Sequence, residues 1–108
     1  MLIVVEVNTH DADPPAHGSP VRVEVRDTSL ADARAVTLGR TEGSVRGRGA
    51  WLETVDVEVE VAAPGATVWA HVDVDGDGAV SRGDFLTTAA YEVPAAGEAR
   101  VTVWVNRI

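Results

Sequence analysis

"VRVEVR", residues 21–26, alternates valine with a charged residue without a break. A period of two belongs to extended chain, where successive side chains leave opposite faces. One face is valine and the other is charge, so the segment predicts a strand with one buried side and one wet side. β-Branching suits valine to a pleated surface and disfavours helix. "VDVEVEV" (55–61) repeats the pattern. Working outward, "LIVVEV" (2–7), "AVTLGRT" (35–41), "TVWAHVDV" (67–74), "FLTTAAYEV" (85–93) and "RVTVWVN" (100–106) read as further strands.

Turn-forming stretches separate these runs: "DADPPAHGSP" (11–20), "EGSVRGRGA" (42–50), "APG" (63–65) and "PAAG" (94–97). Short alternating strands at this spacing predict an all-β fold. The expected architecture is a seven-stranded antiparallel β-sandwich with Greek-key connections, forming one domain over residues 1–108. At most one short helical turn fits, near 28–34, where Asp27 or Thr28 can cap it.

Composition narrows the function. Nine Arg against seventeen Asp and Glu give a net charge of −8. That disfavours nucleic acid and anionic membrane as partners, because both need a basic patch. It suits a cation. With no cysteine, the chain has no disulfide framework, zinc ribbon or thiol nucleophile. No stretch approaches the ~20 apolar residues of a membrane span. "MLIVVEVNTH" (1–10) has no basic leader, so the chain as written is expected in the cytoplasm, or in the periplasm or medium if a leader was trimmed.

The most specific chemistry lies in "DVDGDGAVSRGD", residues 73–84. Four like charges in twelve positions repel unless something neutralises them. Ca²⁺ takes six to eight oxygens, and a twelve-residue loop offers them from positions 1, 3, 5, 7, 9 and 12. Those positions hold Asp73, Asp75, Asp77, Ala79 (through its carbonyl), Ser81 and Asp84. Gly78 fills the sixth position, where the chain turns sharply. Val80 fills the eighth and is expected to anchor the loop to the core. The competing reading is an acidic turn that binds nothing. The stretch resembles the calcium loop of EF-hand and dockerin modules. Asp84 replaces the usual glutamate, which implies micromolar to millimolar affinity. Both flanks alternate, so the loop is expected at the tip of a β-hairpin.

Other groupings are weaker. His10, Asp11, Asp13 and His17 share the first long loop, and read as polar surface or as a further source of ligands. Trp69, His71 and Trp104 fall on the outward parity of their strands, so Trp69 and Trp104 offer a face for a protein partner or a homodimer, unless the chain itself covers them. Trp51 opens a strand. Arg46 and Arg48 read as a solvated loop, since "GRGA" lacks phosphate-loop spacing. No serine elbow or HExxH motif is present, so no catalytic residue is assigned and the chain is expected not to be an enzyme.

A second resemblance covers residues 21–93. "VRVEVRDTSLADARAVTLGR" (21–40), above all its "DTSLADA", and "GDFLTTAAYEV" (83–93) resemble elements of the YbaY/YscW-type family of small β-sandwich lipoproteins. That family includes pilotin-like chaperones of secretion machinery. The resemblance implies a sandwich with Leu30 under a turn and Ser29 and Asp32 in local hydrogen bonds. The leading expectation is a non-enzymatic β-sandwich holding Ca²⁺ at 73–84, which stabilises the fold or a partner-binding surface. The alternative is a pilotin-like interaction module with an incidental acidic loop. A third reading is a small hydrolase using His71 or the first loop, and it requires a concave pocket around His71.

Overall fold

The computed structural model describes residues 1–27, 36–47, 49–60, 65–94 and 99–108. Eight strands follow one another: β1 (Leu2–Asn8), β2 (Pro20–Asp27), β3 (Val36–Ser44), β4 (Trp51–Glu58), β5 (Ala66–Val72), β6 (Phe85–Thr87), β7 (Tyr91–Glu92) and β8 (Ala99–Arg107). The all-β class holds. The expected turn at 28–34 falls outside the described residues, and so do Ser29, Leu30 and Asp32.

The strands join in the order β3-β2-β5-β6-β8-β1-β4, with β7 beside β5. Among the described residues every pairing is antiparallel except one, since β1 runs parallel to β8 from Ile3–Ala99 to Asn8–Trp104. Alternation looks the same in either direction, which is why the sequence does not announce the parallel pair. The sheet curls until its two end strands meet, giving a nearly closed barrel rather than two separate layers. Where β3 crosses β4, Thr41 Oγ1 donates to the Asp56 carbonyl at 2.8 Å. A Cβ on Gly39 would overlap the Glu58 carbonyl and Val59, so only glycine lets the two ends come this close.

The core follows the predicted parity. Ile3, Val5 and Val7, then Val21, Val23 and Val25, then Val101, Val103 and Val105 are buried on the inner face. In β4 the parity changes, with Leu52 and Val55 both inward. The pairing shifts there, from Val7–Glu53 to Asn8–Trp51, so Leu52 is the extra residue of a bulge.

The run read as one strand, 85–93, is two. β6 pairs with β5 at Phe85–Val72 and Leu86–His71, while β7 pairs with β5 at Tyr91–Val68 and Glu92–Thr67. Between them the Thr87 hydroxyl takes the Ala70 N–H at 3.2 Å in place of a carbonyl. Threonine in "LTT" therefore supplies a side-chain acceptor where main-chain pairing lapses.

Candidate cation site at the hairpin tip

β5 and β6 form the expected hairpin, and residues 73–84 are its tip. The loop is built around its first and last aspartates. Asp73 is 6% exposed and Asp84 is 1% exposed. The Asp73 carboxylate accepts the Gly76 N–H at 3.0 Å and the Gly78 N–H at 2.7 Å. Gly78 has φ +77°, the left-handed turn that the sixth position requires. Asp84 takes the Val74 N–H at 2.9 Å on Oδ1 and the Ser81 N–H at 3.1 Å on Oδ2.

One carboxylate oxygen each from Asp73, Asp75, Asp77 and Asp84 can be chosen so that all lie within 4.8 Å of one another. Opposite ligands of a calcium ion stand about 4.8 Å apart, twice a bond of about 2.4 Å, so the four fit one coordination shell. Ser81 belongs to the same knot, its hydroxyl reaching Asp75 Oδ2 at 3.1 Å and Asp84 Oδ2 at 3.4 Å. The Ala79 N–H donates to Asp77 Oδ1 at 2.9 Å, which fixes the seventh position beside the fifth. A hydrogen bond shared with the Asp73 carboxyl, opposed by slight burial and helped by Ser81 and Asp77, holds Asp75 below its ordinary value.

Val80 departs from its expected role. It is 45% exposed instead of packing on the core. An eighth-position side chain packs when flanking helices supply a surface for it. A hairpin supplies none, and the inside of this loop is filled by hydrogen bonds to Asp73 and Asp84.

His71, read from the sequence as outward-facing, was not expected beneath the loop. Its parity is outward, yet it is 1% exposed, because the loop folds back over it. Its Nε2 lies 2.8 Å from Asp84 Oδ2, and its Nδ1 lies 3.5 Å from Arg22 Nη2. Arginine can only donate, so Nδ1 is the acceptor and the ring hydrogen sits on Nε2, pointing at Asp84. Burial pushes the Asp84 carboxyl up. The bonds from His71, Val74 and Ser81 outweigh it and hold the group below its ordinary value. The signal was available in outline, since His71 stands two residues before the loop on the strand that Asp84 returns to.

A cleft of about 270 Å³ opens beside this knot, walled by Arg22, Glu42, His71, Asp73, Gly76 and Gly78. It is the concavity that the hydrolase reading required. His71 forms part of the wall with both ring nitrogens engaged.

The remaining candidates separate. His10 stacks flat on Trp104, with ring centroids 3.8 Å apart, and His17 Nε2 lies 2.8 Å from the Gly47 carbonyl. Asp11 and Asp13 both pair with Arg107, at 3.6 and 3.7 Å. The four thus do not gather, and neither aspartate joins the loop carboxylates among the described residues. Trp69 and Trp104 do face outward, but they make no common face. β6 intervenes between their strands, the Arg26 guanidinium lies 4.1 Å over the Trp69 ring, and His10 covers Trp104. Each ring is thus flanked by one side chain of the chain itself. Arg46 pairs with Glu53 at 2.7 Å, while Arg48 lies outside the described residues. Trp51 opens β4 and donates its indole N–H to Thr54 at 2.8 Å. No helix among the described residues is long and apolar enough to cross a membrane.

No protein-family model and no curated protein matches the chain. A solved structure does: an alternative pilotin from the type II secretion system of Vibrio cholerae, with a TM-score of 0.73 and 23% identity, over 99% of this chain and 97% of that one. The two share a fold from end to end.

Proposed function

We propose that this chain is a non-enzymatic protein-interaction module that serves secretion machinery as a pilotin does. The observation that supports this reading is the fold shared with a type II secretion pilotin over 99% of the chain. The likeness also covers 97% of the length of that pilotin. His71, which the hydrolase reading invoked, has both ring nitrogens engaged. The test is removal of the chain from its own cell. Type II cargo is then expected to accumulate inside the envelope, and a plasmid-borne copy should restore its release. Unaltered secretion without the chain contradicts the reading.

A second function has its own support in the convergence of four loop carboxylates within 4.8 Å. In this reading Ca²⁺ is held by Asp73, Asp75, Asp77, the Ala79 carbonyl, Ser81 and Asp84. It neutralises the like charges and stiffens the tip, and it stabilises the fold or the surface offered to a partner. A loop of weak affinity is useful where calcium is abundant, which favours a site of action outside the cytoplasm. Calorimetric titration of metal-stripped protein with calcium chloride tests this directly. Saturable heat supports it, and a flat titration at millimolar calcium removes it.

A further inference from the structure

Opposite charges that face each other across an antiparallel pair ordinarily meet. On the outer face of the sheet, Arg22 of β2 stands opposite Glu42 of β3 on one side and His71 of β5 on the other. Arg22 and Glu42 nevertheless stay apart. Glu42 turns to Arg40 at 3.0 Å, and the cleft of about 270 Å³ has both Arg22 and Glu42 in its wall. Arg22 is left short of partners. Its Nη2 has a contact of 3.5 Å with His71 Nδ1. Its Nε is, among the described residues, the one buried side-chain polar atom with no hydrogen-bond partner, and Glu24 Oε2 lies 3.7 Å from it. Glu24 does not depend on Arg22, since Arg26 Nε and Thr37 Oγ1 each donate to its Oε1 at 3.1 Å. A guanidinium carries five donors, and a donor buried without an acceptor is costly. The rest of the wall does not supply one. Asp73 spends its two oxygens on the N–H groups of Gly76 and Gly78, and Gly43, Gly76 and Gly78 bring no side chain into the space.

We propose that this cleft binds a small zwitterion of the α-amino-acid class, with its carboxylate on the Arg22 guanidinium and its ammonium on Glu42. The charges in the wall decide the class. A plain anion meets Arg22 but also faces Glu42 and Asp73, and a plain cation faces Arg22. A zwitterion answers both signs at once. Its carboxylate matches the guanidinium fork, which binds such a group through two parallel N–H bonds. To meet it, Arg22 swings into the cleft. It gives up one contact of 3.5 Å and brings Nε out of its unpartnered burial. Neither the pilotin reading nor the calcium reading is needed for this site.

Glycine, L-alanine, L-leucine and L-glutamine, titrated singly into the full chain labelled with heavy nitrogen, test this by nuclear magnetic resonance. The readout is the Arg22 Nε–H signal, identified by its loss in Arg22→Lys. At least one of these amino acids is expected to shift it saturably. The N-acetyl derivative of that amino acid lacks the ammonium, and its amide lacks the carboxylate. Each should bind at least about tenfold more weakly. Glu42→Gln should weaken the amino acid by a similar factor and leave the N-acetyl derivative unchanged. Glu42 is exposed, so this variant is expected to keep the fold. No saturable shift with any of the amino acids overturns the proposal. So does an N-acetyl derivative that binds as tightly as its parent, which reduces the site to a carboxylate contact. A Glu42→Gln chain that binds the amino acid as before overturns it as well.

Discussion

His71 and Asp84 meet 2.8 Å apart, both 1% exposed, at the point where the acidic loop rejoins the barrel. Asp84 is the last residue of the loop and precedes β6, while His71 is the next-to-last residue of β5. The contact closes the hairpin beneath its tip. The Ile108 N–H adds a bond to the Asp84 carbonyl at 2.9 Å, so the end of β8 is tied to the same residue.

Replacing Asp84 with alanine is therefore expected to cost more than an ordinary surface change. It strands the His71 Nε2–H and the N–H groups of Val74 and Ser81, all of which end on its carboxylate. A stranded buried donor costs about 1–3 kcal/mol, and the loop can rehydrate part of the loss, so a net 2–4 kcal/mol is expected, roughly. Urea unfolding of the metal-free variant measures it. A change below about 0.5 kcal/mol contradicts the keystone role of Asp84.

Acid should reveal the same residue. Asp84 is held below its ordinary value of 3.8, because the bonds it accepts outweigh its burial. A carboxyl lowered in the folded state stabilises fully above its unfolded value and loses that contribution as pH falls through the folded value. The stability gap between wild type and Asp84→Asn should be constant above about pH 5 and should shrink below 3.8. Thermal unfolding across this range, without divalent ions, checks it. A gap that widens on acidification contradicts it.

The meeting of β3 with β4 predicts a cost for a single methyl group. In Gly39→Ala the new Cβ must displace the Glu58 carbonyl and Val59. A destabilisation of about 1–3 kcal/mol is expected, as for overpacking. Gly18→Ala is the comparison, because a Cβ there meets nothing within 4 Å and its only strain is a φ of +87°. Equal unfolding midpoints for wild type and Gly39→Ala, by chemical denaturation, contradict the close approach.

Calcium should raise the melting temperature if the loop holds it. A ligand of the folded state stabilises by about 2.7 kcal/mol at a hundredfold excess over Kd. Asp73→Ala combined with Asp77→Ala removes two of the four converging carboxylates and should abolish the shift. Differential scanning calorimetry with calcium and with chelator measures both. A shift that survives the double substitution places the ion elsewhere.

What could be read in advance followed from period and spacing. The alternation of 21–26 and 55–61 carried the strand assignments and inner-face parity, and "DVDGDGAVSRGD" carried the hairpin tip and convergence of its carboxylates. What could not be read depends on contacts between distant residues. Arg22 and His71 are 49 positions apart, and only the β2–β5 pairing sets them side by side. What covers Trp104 could not be read, because nothing local to it marks His10, brought in by the parallel β1–β8 pair. Val80 was misjudged because the loop's spacing says nothing about what lies beneath it. The break at Thr88–Ala90 was hidden because threonine and alanine continue a strand pattern as readily as they interrupt it.

The account turns on the chain acting by holding another protein. The most direct measurement is a light-scattering and calorimetric titration of the purified chain against each purified component of the type II secretion apparatus of its own cell, with and without divalent ions. The account predicts saturable binding to one of them at defined stoichiometry. Absence of saturable binding to all of them, under both conditions, contradicts it.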